Sequence, residues 1–319
     1  MITGRVLITG GTGSLGTAII ERAVREHWPC QLVVYSRDEV KQAQLAERFP
    51  DVRFYLGDVQ DPMALRQAMR GSDVVIHTAA YKRVPEAERE PVACARANVD
   101  GSINVAREAI AAGVKQVVGI STDKACSPIN AYGQSKALME RIWQGYAMDG
   151  TTTRFHLVRY GNVLASRGSV VPALMAKVAK GEPITLTAPE MTRFWLTLAD
   201  AVELVLASME LDPGSILIPH CPASTMAVLA EAIAPGHPVE VIGSRGGEKW
   251  HESLINEVEA AYASKVKLGW ALRSLAGQPL GELEEGFSYT SSNAKQLTAA
   301  RLRSVIASIT EGRPAQTLT

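Results

Sequence analysis

Thr122, Asp123, Lys124, Tyr132 and Lys136 are five side chains able to donate, accept or carry protons, and they fall within 15 consecutive positions. Tyr132 and Lys136 are four residues apart, a spacing that puts both on one face of a helix. A tyrosine ionises near pH 10 and is a weak base at neutral pH. A neighbouring ammonium favours the phenolate, and bringing that ionisation to pH 7 takes about 4 kcal/mol of differential stabilisation. Tyr-x-x-x-Lys alone is common in solvated helices, so its meaning rests on the elements that hold it.

Those elements are readable. Residues 115–120, with Gln116-Val117-Val118-Gly119-Ile120, form a buried strand, and residues 131–148 form a helix. Chemistry therefore sits where a strand ends and a helix follows, the usual place for a site in an open α/β sheet. At the start of the chain, Arg5-Val6-Leu7-Ile8-Thr9 is a strand that runs into Gly10-Gly11-Thr12-Gly13-Ser14-Leu15-Gly16 and then a helix. Glycines in that context make a tight turn and bring backbone N–H groups to a pyrophosphate at the helix N-terminus. Gly10, Thr12, Gly13, Ser14, Leu15 and Gly16 are thus candidate dinucleotide contacts.

About 20 residues beyond such a loop lies the reader of the adenosine ribose. Here, after a strand at 31–35, that place holds Ser36 and Arg37, with Lys41 further on. A serine and two cations suit a 2′-phosphate and favour NADP over NAD, although Asp38 would suit a free ribose. A strand at 52–56 leads to Asp58 and Val59; Asp58 either meets the adenine edge or caps a helix that starts at Pro62. A strand at 73–77 ends in Thr78-Ala79-Ala80, where Ala79 and Ala80 let backbone pass close to a cofactor. The charged loop 81–86, containing Lys82, either holds an anion or is solvated. A helix at 92–112 carries Asn98 inward, and a further strand spans 153–159.

Strands alternating with helices predict an α/β fold: a Rossmann-type doubly wound parallel sheet with a smaller, discontinuous α/β substrate domain. The expected division is 1–164 plus 196–219 for the dinucleotide unit and 165–195 plus 220–319 for the substrate unit. In the second half, Tyr160, Asn162, Arg167, Ser169, Val170, Thr192, Arg193, Arg245 and Glu248 lie on loops and element ends and are the candidate substrate contacts. Arginine forks among them suit a diphosphate. Residues 243–249 read as a glycine-rich turn before a helix, and the tail from about 312 as disordered.

The composition narrows the partners. The 319 residues are 46% hydrophobic, and 33 basic residues balance 33 acidic ones. There is no basic field to attract nucleic acid. Cys30, Cys94, Cys126 and Cys221 have no metal-ligand spacing and read as reduced thiols of a cytoplasmic protein. Cys126 is near the proposed site, as a packing residue or as a reactive thiol. The six histidines form no ligand cluster, so no metal is expected. A strand beginning at residue 5 leaves no room for a leader, and no apolar run reaches 18 residues, so no membrane span is expected.

With these residues in view the chain resembles the extended short-chain dehydrogenase/reductase superfamily, whose two signatures match Thr9-Gly10-x-x-Gly13-x-x-Gly16 and Tyr132-x-x-x-Lys136. Within it, the chain is similar to the polysaccharide-biosynthesis branch typified by the inverting UDP-N-acetylglucosamine 4,6-dehydratases. That likeness runs through Tyr35-Ser36-Arg37-Asp38-Glu39, Ser121-Thr122-Asp123-Lys124-Ala125, Val158-Arg159-Tyr160-Gly161-Asn162-Val163, Ser166-Arg167-Gly168-Ser169-Val170, Met191-Thr192-Arg193-Phe194-Trp195 and Gly247-Glu248-Lys249. It departs from the branch pattern around Tyr81, Ala188 and Gly246, in substrate loops.

The resemblance implies roles. Tyr132, helped by Lys136 and Thr122, takes the proton of the sugar 4-hydroxyl while hydride passes from C4 to NADP. The 4-ketone acidifies the C5 proton, which Lys124 removes. Asp123 protonates the departing 6-hydroxyl, hydride returns to C6, and reprotonation from the opposite face inverts C5. The implied partner is a UDP-sugar, and homo-oligomers are usual in the fold. Asp123 beside Lys124 should sit low on the pH scale, which is wrong for an acid unless burial pushes it back. The rival readings are a nucleotide-sugar 4- or 5-epimerase on the same scaffold and a non-catalytic NADP-binding sensor.

Overall fold

The computed structural model describes residues 2–243, 246–311 and 317–318. The chain opens with β1 (Gly4–Thr9), α1 (Ser14–Arg25), β2 (Cys30–Ser36), α2 (Glu39–Arg48), β3 (Arg53–Leu56), α3 (Pro62–Met69) and β4 (Val74–His77). Two short helices follow, α4 (Val84–Arg89) and α5 (Pro91–Ala95), then a π-helical turn at Arg96–Asp100 and α6 (Gly101–Ala111). The central unit is β5 (Gln116–Ile120), a 3-10 turn at Asp123–Ala125, α7 (Ala131–Met148) and β6 (Arg154–Val158). Beyond it come β7 (Asn162–Val163), α8 (Val170–Ala179), β8 (Ile184–Leu186), β9 (Thr192–Leu196), α9 (Leu198–Ser208), β10 (Ile216–Pro219), β11 (Ala223–Thr225) and α10 (Met226–Ile233). The last elements are β12 (Val239–Val241), β13 (Ser253–Ile255), α11 (Glu257–Ala260), β14 (Ala263–Val266), β15 (Gly269–Leu272), β16 (Tyr289–Thr290) and α12 (Ala299–Thr310).

Nine strands make the main sheet, in the order β14-β15-β10-β6-β5-β4-β1-β2-β3. From β3 to β10 every pairing is parallel. A parallel sheet is covered on both faces, so its strands read as continuous apolar runs. Accordingly Val6, Leu7 and Ile8 of β1 and Val117 and Val118 of β5 have no exposure. Helix α1 buries Gly16, Ile19, Ile20 and Ala23, one face at helical spacing. Helix α7 is set on the sheet by Trp143, which is fully buried and packs over Gly119 of β5. A Cβ at Gly119 would stand 2.4 Å from the Trp143 ring, so the glycine is what lets the helix close on the strand.

The parallel sheet is extended at one edge by an antiparallel hairpin, β14 and β15 beside β10, so residues 263–272 belong to that sheet. Two expectations are corrected. The helix at 92–112 is interrupted by the π-helical turn that holds Asn98. The glycine-rich turn near 247 leads to a bridge at His251 and to β13, and the first helix after it is the four-residue α11. Of the tail, residues 312–316 and 319 lie outside the described residues, but Leu318 packs at the second core and its backbone N–H donates to Asp200. That second core gathers Leu164, Val171, Leu174, Ile184, Leu186, Trp195, Leu229 and Leu302.

Two buried histidines make the fold less stable in acid. His77 is satisfied by Thr9 and Ser102, whereas His156 of β6 is fully buried with neither ring nitrogen hydrogen-bonded. Burial pushes His156 down to about 4 and His77 to about 3. Both folded values lie below the unfolded one, so their contribution is complete above about pH 6.5 and is lost as pH falls towards 4. Replacing His156 by Leu is expected to leave stability at pH 7 nearly unchanged and to recover about 2 kcal/mol at pH 5, measured by urea unfolding at both pH values.

Candidate active site

A cleft of about 1060 Å³ opens at the carboxyl ends of β1, β2, β4, β5 and β6, where the strand order reverses between β1 and β4. Thr122, Asp123, Lys124, Tyr132 and Lys136 all line it. The 3-10 turn fixes the first three: Thr122 caps it, its Oγ1 accepting from the Lys124 backbone at 3.3 Å and donating to Asp123 Oδ1 at 2.9 Å. Asn130 caps α7 through the Gly133 N–H and also donates to Gly247 O, which ties the start of the helix to the segment that follows β12.

Asp123 is only 1% exposed. Lys124 Nζ donates to its Oδ1 at 3.0 Å and lies 3.1 Å from Oε1 of Glu252, which is also buried. Arg193 Nε stands 3.9 Å from the same Glu252 oxygen. Asp123 Oδ2 and Glu252 Oε2 have no hydrogen-bond partner. Burial pushes the Asp123 carboxyl up; Lys124 pulls it back, and the charge of Glu252 adds to the rise. Burial works against the Lys124 ammonium, but the two carboxylates outweigh it and hold that group well above its ordinary value. Burial also raises Glu252, yet Lys124, Arg193 and Lys249 together keep it below the usual carboxylate range. The feared mismatch at Asp123 is thereby reversed: desolvation, not the neighbouring lysine, dominates.

Burial pushes the Tyr132 phenol up to about 12, against the pull of Lys124 and of a hydrogen bond with Thr122. Lys136, 2% exposed, is brought down to about 8 by burial, and its Nζ donates to Met139 Sδ at 3.0 Å. Behind the site, Arg159 at the end of β6 is fully buried. Its guanidinium donates to both oxygens of Glu140 (2.9 and 2.6 Å), to both of Glu259 (2.8 Å each) and to Leu254 O. Cys126 donates its thiol proton to Glu259 and burial pushes it up to about 12, so it packs and is no nucleophile.

Most residues read from the sequence as dinucleotide contacts lie on the wall of this cleft. Gly10, Thr12, Gly13, Ser14, Leu15, Ser36, Arg37, Lys41, Asp58, Val59, Ala79, Ala80 and Lys82 line the cleft. Gly10 has φ +66°, and a Cβ there would meet Ala79 N at 2.6 Å, so the loops after β1 and β4 touch through it. No side chain caps α1, leaving its first N–H groups for a phosphate. These features fit a dinucleotide. Arg37 pairs with Asp58 at 3.3 Å and Lys41 with Asp38. Asp61, not Asp58, caps α3.

Three expected site residues lie off the cleft wall and a fourth sits in the other half of the cleft. Gly16 does not line the cleft; it packs on Gly11, where a Cβ would come within 2.5 Å of Gly11 Cα. Asn98 has no exposure and clamps the loop after β4 from behind, bonding Tyr81 N and O and Ser135 Oγ. Thr192 is buried against His251 and Ser291 and is absent from the cleft wall. Arg167 lines the cleft but reaches over the glycine loop to Thr12 O and Ser14 Oγ, on the dinucleotide side, and its own carbonyl accepts from Lys82 Nζ at 3.0 Å. Tyr160, Asn162, Ser169, Val170, Arg193 and Glu248 line the other half, and Asn162 Oδ1 and Ser169 Oγ are buried without a partner. Arg245 lies outside the described residues. Sequence reasoning stopped at Glu248 and missed Glu252, which is 128 positions from Lys124; the sole local signal was an acid two residues before the buried Leu254-Ile255 pair. Among the described residues no three His, Cys, Asp or Glu gather as a metal-binding group.

Fold and site together define a short-chain dehydrogenase/reductase-type protein with a cleft for a dinucleotide and a second ligand. Residues 6–271 match the family model described as polysaccharide biosynthesis protein, and the chain belongs to that family. It is 38% identical over 327 residues to the UDP-N-acetylglucosamine 4,6-dehydratase (inverting) of Campylobacter jejuni subsp. jejuni serotype O:23/36 (strain 81-176), across 96% of this chain and 98% of that one. It is also 38% identical over 324 residues to the UDP-glucose 4-epimerase of Rickettsia bellii (strain RML369-C), across 94% of each. Among solved structures, Pen from Bacillus thuringiensis superposes with a TM-score of 0.88 at 31% identity, covering 95% of this chain and 97% of that one.

Arg159 generates a test. Replacing it by Met leaves Glu140 and Glu259 as buried charges without their shared partner, and is expected to cost about 3–5 kcal/mol in urea unfolding at pH 7.

Proposed function

We propose that the protein is a nucleotide-sugar 4,6-dehydratase acting on UDP-N-acetylglucosamine or a close relative, with inversion at C5. The observation that carries this reading is the desolvated Asp123–Lys124 pair beside Tyr132 in one cleft. An enzyme that only oxidises and reduces C4 needs Tyr132 and Lys136; an acid and a base beyond them are needed to expel the 6-hydroxyl. The inverting dehydratase of Campylobacter jejuni supports the same reading. The Rickettsia bellii epimerase, equally identical, favours the second reading, a 4-epimerase.

When bound, NADP supplies the hydride acceptor and donor. In our reading the residues after β1, β2 and β4 hold it, with Ser36, Arg37 and Lys41 on its 2′-phosphate, and the cleft half around Asn162, Ser169 and Arg193 takes the sugar nucleotide. Tyr132 accepts the 4-hydroxyl proton. Lys124 accepts the C5 proton once its ammonium, held by Asp123 and Glu252 at rest, has given up a proton, and Asp123 gives its proton to the leaving hydroxyl, which departs as water. The elimination thus ends with an ammonium beside a carboxylate, the ionic form in which the pair would sit at 3.0 Å, and one proton passing from Nζ to Oδ1 restores the starting form. No helix among the described residues is long and apolar enough to cross a membrane. We place the reaction in the cytoplasm, in a homo-oligomer; exposed Val92 and Leu138 on the adjoining helices α5 and α7 support self-association.

Incubation with UDP-N-acetylglucosamine in deuterated water is expected to give a 4-keto-6-deoxy product with deuterium at C5 and inverted configuration, read by NMR and mass. A product that keeps its 6-hydroxyl with altered stereochemistry would establish the epimerase instead. Asp123→Asn is expected to retain transient cofactor reduction, followed at 340 nm, while dehydration falls at least about 100-fold. Arg37→Ala should weaken NADP binding about tenfold and leave NAD binding nearly unchanged by calorimetry, the value of one charge-assisted hydrogen bond.

A further inference from the structure

We propose that Glu252 is a positioning residue of the elimination centre: its carboxylate anchors Lys124 Nζ from the side opposite Asp123 and places a second buried anion beside that carboxyl. This rests on the dehydratase reading for its purpose, but the electrostatic claim stands on geometry alone.

Lys124 Nζ lies between two buried carboxylates at nearly equal distance, Asp123 Oδ1 at 3.0 Å and Glu252 Oε1 at 3.1 Å. With Asp123 alone, the ammonium would form a simple ion pair, and an ion pair holds the carboxylate ionised. An acid that must release a proton to a leaving hydroxyl cannot rest in that state. A second carboxylate changes the balance. Glu252 satisfies the ammonium from its other side, and two anions around one cation disfavour ionisation of the carboxyl that is more deeply desolvated. Asp123 is that carboxyl: burial dominates its environment, whereas Glu252 also faces Arg193 from β9 and Lys249 from its own segment.

Glu252 is held where this requires. Its backbone N–H donates to Ser291 Oγ at 2.9 Å, its carbonyl accepts from Ser291 N, and the preceding His251 bonds Thr192 Oγ1. The backbone of residues 251–252 is therefore pinned between β9 and the strand at 289–290, and Thr192, which does not line the cleft, supports that pin. Glu252 Oε2 is buried, unpartnered and part of a residue that lines the cleft, as Asp123 Oδ2 is.

The sign of the effect is fixed. Removing a negative charge makes it easier for Asp123 to lose its proton and for Lys124 to lose its own. Dehydration that needs protonated Asp123 and neutral Lys124 therefore has both limbs of its pH profile displaced to lower pH by Glu252→Gln. The test has two arms. In the first, kcat against pH is compared for wild type, Glu252→Gln and Glu252→Asp; Gln is expected to move the optimum down by at least one pH unit, and Asp to restore most of the shift. A lower kcat with an unmoved optimum would mark a merely structural role and overturn the proposal.

The second arm does not depend on turnover. Carbon NMR of protein labelled at the aspartate carboxyl carbon, with Asp123→Asn to assign the resonance, reads the Asp123 midpoint directly. That midpoint should fall by at least one pH unit in Glu252→Gln; equal midpoints overturn the proposal even if the wild type dehydrates its substrate. Conversely, a shifted midpoint in a protein that only epimerises would sustain the electrostatic claim and sink the dehydratase reading.

Discussion

A guanidinium with no exposure to water, Arg159, joins the three chain segments that carry titratable side chains into the cleft. Glu140 lies on α7, four residues beyond Lys136 and eight beyond Tyr132, so it shares their face. Ser121, which donates to the same Glu140, is the residue before Thr122. Glu259 belongs to α11 and follows Glu252 by seven residues. A buried charge is tolerated only when paired and fully hydrogen-bonded. Arg159 meets both conditions with four contacts to two carboxylates and a fifth to Leu254 O, and in doing so fixes the depth of α7, the end of β5 and the approach of the 252–259 segment together.

The same withdrawal from water sets the chemistry in front of that cluster. Burial favours the neutral form of every group there: Tyr132 moves up, Lys136 down, Asp123 up. Lys124 and Glu252 resist that trend, Lys124 through the carboxyls of Asp123 and Glu252, and Glu252 through Lys124 and Arg193. The phenol is therefore further from basicity than its spacing from Lys136 suggests. Bringing it from about 12 to neutrality takes about 7 kcal/mol, nearly twice what an unburied tyrosine needs. Lys136 is itself partly disarmed, so in the proposed reading the dinucleotide's own positive charge would share in drawing Tyr132 towards ionisation.

What the sequence disclosed follows from the range of the interactions concerned. Helix α7 at 131–148 was legible to the residue and strand β5, read as 115–120, to within one residue of its start at 116, because an apolar run and a capped helix are local patterns. The glycine loop was legible because strand, turn and helix are contiguous. The antiparallel return of residues 263–272 was not: Gly269-Trp270-Ala271-Leu272 is too short to declare its partner, and that partner, β10, is some 50 positions away. Asn98 was rightly read as facing inward, but an inward amide does not say whether it meets ligand or backbone, and here it holds Tyr81. Glu252 has no local pattern at all; only the folded chain sets it on Lys124.

Charge balance at the adenosine end bears on the cofactor. Arg37 and Lys41 are already paired, with Asp58 and Asp38, which at first sight leaves no cation for a 2′-phosphate. Exposed ion pairs of this kind contribute little and exchange readily. Asp58 keeps the Gln60 N–H when Arg37 leaves it, and Asp38 keeps the Lys41 N–H as the cap of α2, so neither carboxylate is stranded. A phosphate gains both cations at once. A free ribose would instead have to draw on Asp38 or Asp58, detaching Asp38 from its cap and its lysine or Asp58 from its arginine, and would leave a cation facing no anion. Exchange of two weak pairs for one doubly charged ligand is the easier change, and it is consistent with the NADP reading proposed above.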